Sequence, residues 1–147
     1  MNAKYLFCFI ALFVWGFSCS QTKETTLKTN SGEINYDELS FNSGKNIVQT
    51  VCITCHDPKN STTDRIAPPL ELVKRSYLMQ SSNEEEFIRM ISTFILTPSE
   101  EAAKLHSDVD EFGLMDPLGY SEKDIQGVAM YLYRTELERP DWVDSEN

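Results

Sequence analysis

The chain has 147 residues, with 13 Lys and Arg against 23 Asp and Glu, a formal charge of −10 and a pI near 4.6. That length suits one domain, and the acidity argues against nucleic acid, which needs a basic surface. The same charge fits either a partner with a basic docking patch, reached by electrostatic steering, or a protein kept soluble after export.

The chain opens on a targeting segment. Lys4 is the positive residue, and residues 5–17 form an apolar run of the length of a signal-peptide core, short for a membrane span. Residues 1–18 are therefore expected to be a signal peptide. Ser18-Cys19-Ser20 follows and resembles a bacterial lipoprotein cleavage site, at which Cys19 becomes the lipidated first residue. Gly16 and the bulky Phe17 depart from that pattern, and ordinary cleavage nearby or an uncleaved anchor are the alternatives. Several acyl chains on Cys19 would give a durable membrane anchor. Residues 19–40 are polar and poor in apolar side chains, the composition of a flexible tether. Its end-to-end span is about 25 Å. A globular domain is expected over residues 41–143, with a tail at 144–147.

The first helix is expected to begin near Ser43, capped by Asn42 or Ser43. Ile47, Val51 and Cys55 share one stripe, and Val48 and Cys52 the next. At its end stands Cys52-Ile53-Thr54-Cys55-His56, the C-x-x-C-H spacing of a covalent c-type haem attachment site. On a helix, residues i and i+3 lie on one face, so both thiols can reach one edge of a porphyrin and add to its vinyl groups. His56 follows directly and supplies the nitrogen ligand that haem iron needs. A structural zinc site would need four ligands, and His106 is the other histidine of the chain. A thioredoxin-like reading needs a βαβ pattern. With Cys8 lost in the leader and Cys19 lipidated, Cys52 and Cys55 complete the cysteine tally. Covalent haem attachment in bacteria takes place outside the cytoplasm, so the leader and the motif point to the same compartment, the periplasm or cell envelope.

Residues 60–81 read mostly as loop, with a short helix around 70–75. A further helix is capped by Ser82 or Asn83, with Glu84, Glu85 and Glu86 at its positive end. Phe87, Met90, Ile91, Phe94 and Ile95 recur on one face, and Pro98 ends the pattern. Residues 99–105 are expected to add a short helix, and the charged run 104–108 to be solvated surface. The last helix starts at Ser121, with Asp124 three residues on, much like a capping box. Ile125, Val128, Ala129 and Leu132 line its buried face. No alternating strand pattern is present, so the domain is expected to be all-α.

A haem held by His56 has a second face. Met90 and Met130 fall on helices and read as packing, and Met79 has no distinctive context. Met115 lies in the Gly- and Pro-shaped loop 112–119, where a thioether is free to reach iron. Met115 is the expected second axial ligand, and His106 the rival. Thioether ligation raises the potential relative to two imidazoles.

Together these residues resemble class I cytochromes c over residues 43–134. The resemblance rests on Gly44-Lys45-Asn46-Ile47-Val48 before C-x-x-C-H, on Ala67-Pro68-Pro69-Leu70, on Met115 with Pro117-Leu118-Gly119, and on Val128-Ala129-Met130-Tyr131-Leu132. Val48 stands where an aromatic is frequent, Ala67 replaces glycine, Asp116 separates Met115 from its proline, and residues 99–111 form an extra charged segment. The resemblance implies three main helices plus short ones wrapped around one covalent haem. It implies that Gly44 lets the first and last helices cross closely, that Tyr131 packs on the first helix, and that the Pro68 carbonyl accepts a hydrogen bond from His56. It implies a carrier of single electrons between membrane-associated redox partners, docking at an exposed haem edge, and not an enzyme. The chain would act as a monomer or as a subunit of a respiratory complex. A haem-based sensor is the alternative should the sixth ligand be weak. The haem would offer Ile47, Val51, Leu70, Ile91, Phe94 and Leu114 an apolar plate to pack on.

Overall fold

The computed structural model describes residues 36–144. The leader, Cys19 and most of the tether lie outside the described residues. Among the described residues the chain is all-α: α1 (Tyr36–Thr50), a 3-10 turn (Cys52–Thr54), α2 (Leu70–Leu78), α3 (Glu84–Leu96), α4 (His106–Phe112), α5 (Glu122–Arg134) and a closing 3-10 turn (Asp141–Asp144). None of these helices is long and apolar enough to cross a membrane.

α1 and α5 form the frame. They meet where Gly44 faces Gly127, and the two backbones touch there. A Cβ on Gly44 would overlap the carbonyl of Gly127, and one on Gly127 would overlap the Ser40 carbonyl oxygen. Beside this point Ile47 and Val48 of α1 and Val128, Ala129 and Leu132 of α5 are buried together. The ring of Phe41 lies 5.5 Å from that of Tyr131, tilted by 54°.

That contact also explains where α1 begins. The helix starts at Tyr36, well ahead of Ser43, so residues 36–40 belong to α1 and not to the tether. Asp37 and Glu38 sit in its first turn, where the helix dipole favours acids. Ser43 does not cap the helix. Its hydroxyl donates instead to Asp124 Oδ1 at 3.3 Å, tying α1 to the start of α5.

The caps of α3 and α5 are side-chain caps. Asn83 Oδ1 accepts from the Glu86 amide at 2.9 Å, and Glu86 Oε2 accepts from the Ser82 amide at 2.8 Å. Ser121 Oγ accepts from the Asp124 amide at 3.2 Å and donates to Asp124 Oδ2 at 2.6 Å. Each arrangement satisfies amides that the helix itself leaves without partners. α3 packs across α5 through Phe87, whose ring lies 5.2 Å from Tyr133, and Arg134 Nε reaches Glu84 at 2.6 Å. α2 runs on to Leu78, past the residues 70–75 expected. Buried Tyr77 meets Phe87 edge-on at 6.4 Å, and Lys74 Nζ donates to the Thr135 carbonyl at 2.8 Å, just beyond the end of α5.

Residues 99–105 form a turn, not a helix. Ser99 turns the chain by accepting the Ala102 amide on its hydroxyl and the Ala103 amide on its carbonyl. The helix comes one segment later, as α4, and Gly113 ends it with φ +80°, its amide reaching the Val109 carbonyl at 2.8 Å.

In an ordinary helix interior, Gly→Ala gains about 0.5–1 kcal/mol. At this crossing the sign reverses. Gly44→Ala and Gly127→Ala are each expected to lose about 3 kcal/mol by overpacking, read as a lower midpoint in urea. A stabilised variant would show that the helices do not cross here.

Candidate functional site

α1 aims its C-terminal end at a cavity of about 390 Å³, within the size range of small-molecule sites. Ile47 of α1 and Val51 just after it, Leu70 and Val73 of α2, Ile91 and Phe94 of α3, and Ile125 and Leu132 of α5 form its walls. Leu114 joins them from the loop after α4, so all six residues expected to pack on a flat apolar group line this one cavity. Ile66, Leu114 and Leu118 stand at its mouth and are exposed, at 64%, 41% and 37%.

Cys52, Cys55 and His56 line the same cavity. The regular helix does not carry them all. It tightens to a 3-10 turn at Cys52–Thr54, and the Cys55 and His56 amides both reach the Cys52 carbonyl, at 3.2 and 3.0 Å. In such a turn, side chains at i and i+3 eclipse one another, so the two thiols stand along one line. Neither is in a disulfide. Burial pushes the Cys52 thiol up to about 11, its own backbone hydrogen bond opposing the rise and Cys55 adding to it.

His56 is held from behind. Its Nδ1 lies 2.6 Å from the carbonyl oxygen of Pro68. A carbonyl only accepts, so Nδ1 carries the proton and Nε2 of the neutral ring keeps its lone pair. Burial lowers the His56 pKa, against the pull of the Pro68 carbonyl, and so favours the neutral ligand form. A hydrogen-bonded second nitrogen fixes ring orientation and raises basicity, the usual arrangement behind a metal-binding histidine.

Met115 also lines the cavity. Its loop is bracketed by Gly113 and Gly119, both in the left-handed region with φ +80° and +71°. Glycine adopts these angles without strain. The rivals lie elsewhere. His106 is exposed at the start of α4 and does not line the cavity. Met79 sits at the C-cap of α2, 74% exposed. Met90 packs part-buried against the core, and Met130 is half-buried on α5; neither lines the cavity.

α4 is the part of the site that the sequence reading missed. The run 104–108 is solvated only in part: His106 and Ser107 are exposed, but Lys104, Leu105 and Asp108 are half-buried and line the cavity, together with Val109 and Phe112. Leu105, Val109 and Phe112 recur at i, i+4 and i+7, the spacing of one helix face, and that signal was present among the charges. Burial raises the Asp108 carboxyl above its ordinary range, with Arg65 pulling it back. Arg65 is itself largely buried and pairs with both carboxylate oxygens of Glu111 at 3.2 Å.

The arrangement therefore offers two thiols, an imidazole with a free Nε2 and a thioether around an apolar cavity. These are the donors for covalent attachment of a flat apolar group and for ligation of a soft or borderline iron within it. No family profile, curated protein or solved structure matches the chain.

Cys52→Ala with Cys55→Ala removes both thiols from the cavity. The expected product is protease-sensitive, with reduced helix content by circular dichroism. A well-folded double variant would show that the chain does not depend on a bound group.

Proposed function

We propose that this chain is a small monohaem c-type cytochrome that passes single electrons between membrane-associated redox partners. The observation that carries the reading is the convergence on one apolar cavity of Cys52, Cys55, His56 and Met115, with His56 Nδ1 engaged by Pro68. The crossing at Gly44 and the packing of Tyr131 on the first helix, through Phe41, support the same reading, since the resemblance implies both. Bound there, haem supplies one-electron redox chemistry at its iron.

In this reading each residue has one task. Cys52 and Cys55 form the two thioether links. His56 through Nε2 and Met115 through its sulfur would ligate the iron. Pro68 holds the imidazole. The α2, α3 and α5 side chains exclude water, which lowers the cost of reorganising solvent when charge changes. With His56 and Met115 both ligating, the protein would leave no open iron site for a substrate. This is a carrier and not an enzyme.

The mouth of the cavity is where partners would come. Ile66, Leu114 and Leu118 give it an apolar rim, and the exposed acids Asp110, Glu111 and Asp116 stand on α4 and the loop that follows. That combination suits a partner with a basic patch, and such encounters are small and transient. Lipidation of Cys19 in the periplasm would hold the domain on a membrane and raise its effective concentration there.

The test is optical. The oxidised holoprotein is expected to show a weak far-red band that Met115→Ala abolishes, and the ferrous wild type is expected not to bind carbon monoxide readily. Immediate carbon monoxide binding by the wild type would favour a ligand sensor over an electron carrier.

A further inference from the structure

Pro68 belongs to the long segment between the C-x-x-C-H motif and α2, a stretch without regular secondary structure apart from isolated turns. The segment's own hydrogen bonds are local turns: Asn60 amide to the Asp57 carbonyl at 3.4 Å, Lys59 amide to Asp57 Oδ1 at 2.9 Å, and Ser61 Oγ to Asp64 Oδ2 at 2.6 Å. These bonds tie the segment only to itself, and buried Pro69 at the N-cap of α2 anchors one end of it. Ahead of Pro68 the contact to another element is made by Arg65. Its guanidinium carbon lies 5.2 Å from the centroid of Phe112 and 5.0 Å from that of Trp142, so two aromatic rings flank one cation. The same group forks onto both oxygens of Glu111. Trp142 in turn donates from Nε1 to the Asn60 carbonyl at 3.1 Å, holding the segment at a second point.

The partners of Arg65 are what give this clamp meaning. Glu111 and Phe112 are the last two residues of α4, and Gly113 then opens the loop that carries Met115. Arg65 is three positions before Pro68. One guanidinium thus joins the segment that orients His56 to the helix from which the Met115 loop departs. Arginine suits the task because its planar group can stack on rings and pair bidentately at once, which lysine cannot.

We propose that Arg65 is a positioning residue, which, with Phe112 and Trp142, clamps the His56 side of the cavity to the Met115 side and so keeps both ligands on the bound group. The inference rests on the proposed roles of His56 and Met115. It adds that the sixth ligand is held through a contact outside the cavity, and that the chain beyond α5 takes part in holding it.

The experiment compares wild-type holoprotein with Arg65→Ala, Arg65→Lys and Trp142→Phe. Two readouts are taken: tryptic cleavage after exposed Lys59, which reports release of the segment, and the rate of carbon monoxide binding to the ferrous form together with the far-red band, which reports release of Met115. Arg65→Ala is expected to raise both rates about tenfold, the loss of two cation–π contacts, and to weaken the band. Arg65→Lys is expected to behave like Arg65→Ala, because charge alone does not rebuild the stack. Trp142→Phe keeps a ring over Arg65 and loses the bond to Asn60, so cleavage should rise while the band persists; it also serves if Arg65→Ala does not fold. Wild-type rates in Arg65→Ala, full rescue by Arg65→Lys, or faster cleavage in Arg65→Ala with an unchanged band would each overturn the clamp. A wild type without the band would overturn the role given to Met115, while cleavage after Lys59 still decides whether Arg65 holds the segment.

Discussion

The contact between the α1 and α5 backbones at Gly44 and Gly127 is the constraint on which the rest of the molecule depends. Two helices approach this closely only where neither carries a Cβ at the contact. Once they do, the direction of α1 is set, and with it the place where its C-terminal end delivers Cys52, Cys55 and His56. α5 takes its position from the same contact and presents Ile125, Val128 and Leu132 to the cavity from the other side. α3 then lies on α5 through Phe87 and Tyr133. The cavity is what remains when these helices have packed, and its walls are apolar because each helix turns its buried face inward.

The elements most legible in the sequence are those where several local rules agree. α3 and α5 each have a capping side chain, acids in the first turn and a sustained apolar period, and the structure has both. The C-x-x-C-H motif is legible for another reason, since its spacing is dictated by a reaction and owes little to packing. The start of α1 was missed although the sequence marks it: Asn35 precedes Tyr36, and Glu38 stands three residues on, the spacing of a capping box. What the sequence does not show is that Phe41 packs against Tyr131, a contact made far along the chain. Gly127 likewise gave no signal, because its role exists only in the presence of Gly44. α4 was hidden by its charges. A helix this short has little propensity of its own, and what keeps it is burial of Leu105, Val109 and Phe112 against the cavity, together with Arg65 at its end.

The site itself divides in the same way. The residues that would bond to a bound group, Cys52, Cys55, His56 and Met115, could be chosen from motif and loop chemistry. The hydrogen bond from His56 to Pro68 was implied by resemblance alone, and nothing in the local sequence would have produced it. The fixtures one layer further out, Arg65, Glu111 and Trp142, had no signal at all. They are three residues from three distant segments, and only the fold brings them together. An acidic chain with limited apolar surface to bury has reason to invest in such contacts. Its loops carry His56 and Met115, and loops hold their shape only through what they touch.

The central claim is that Cys52 and Cys55 carry a covalently attached haem. The most direct measurement is the intact mass of the mature protein, produced in a bacterial host with an active haem-attachment system and denatured before analysis. The account predicts one haem added to the polypeptide mass, retained under denaturing conditions and absent when either the motif cysteines or the attachment system is removed. A denatured protein at the mass of the bare polypeptide, with both thiols free to alkylate, would contradict it.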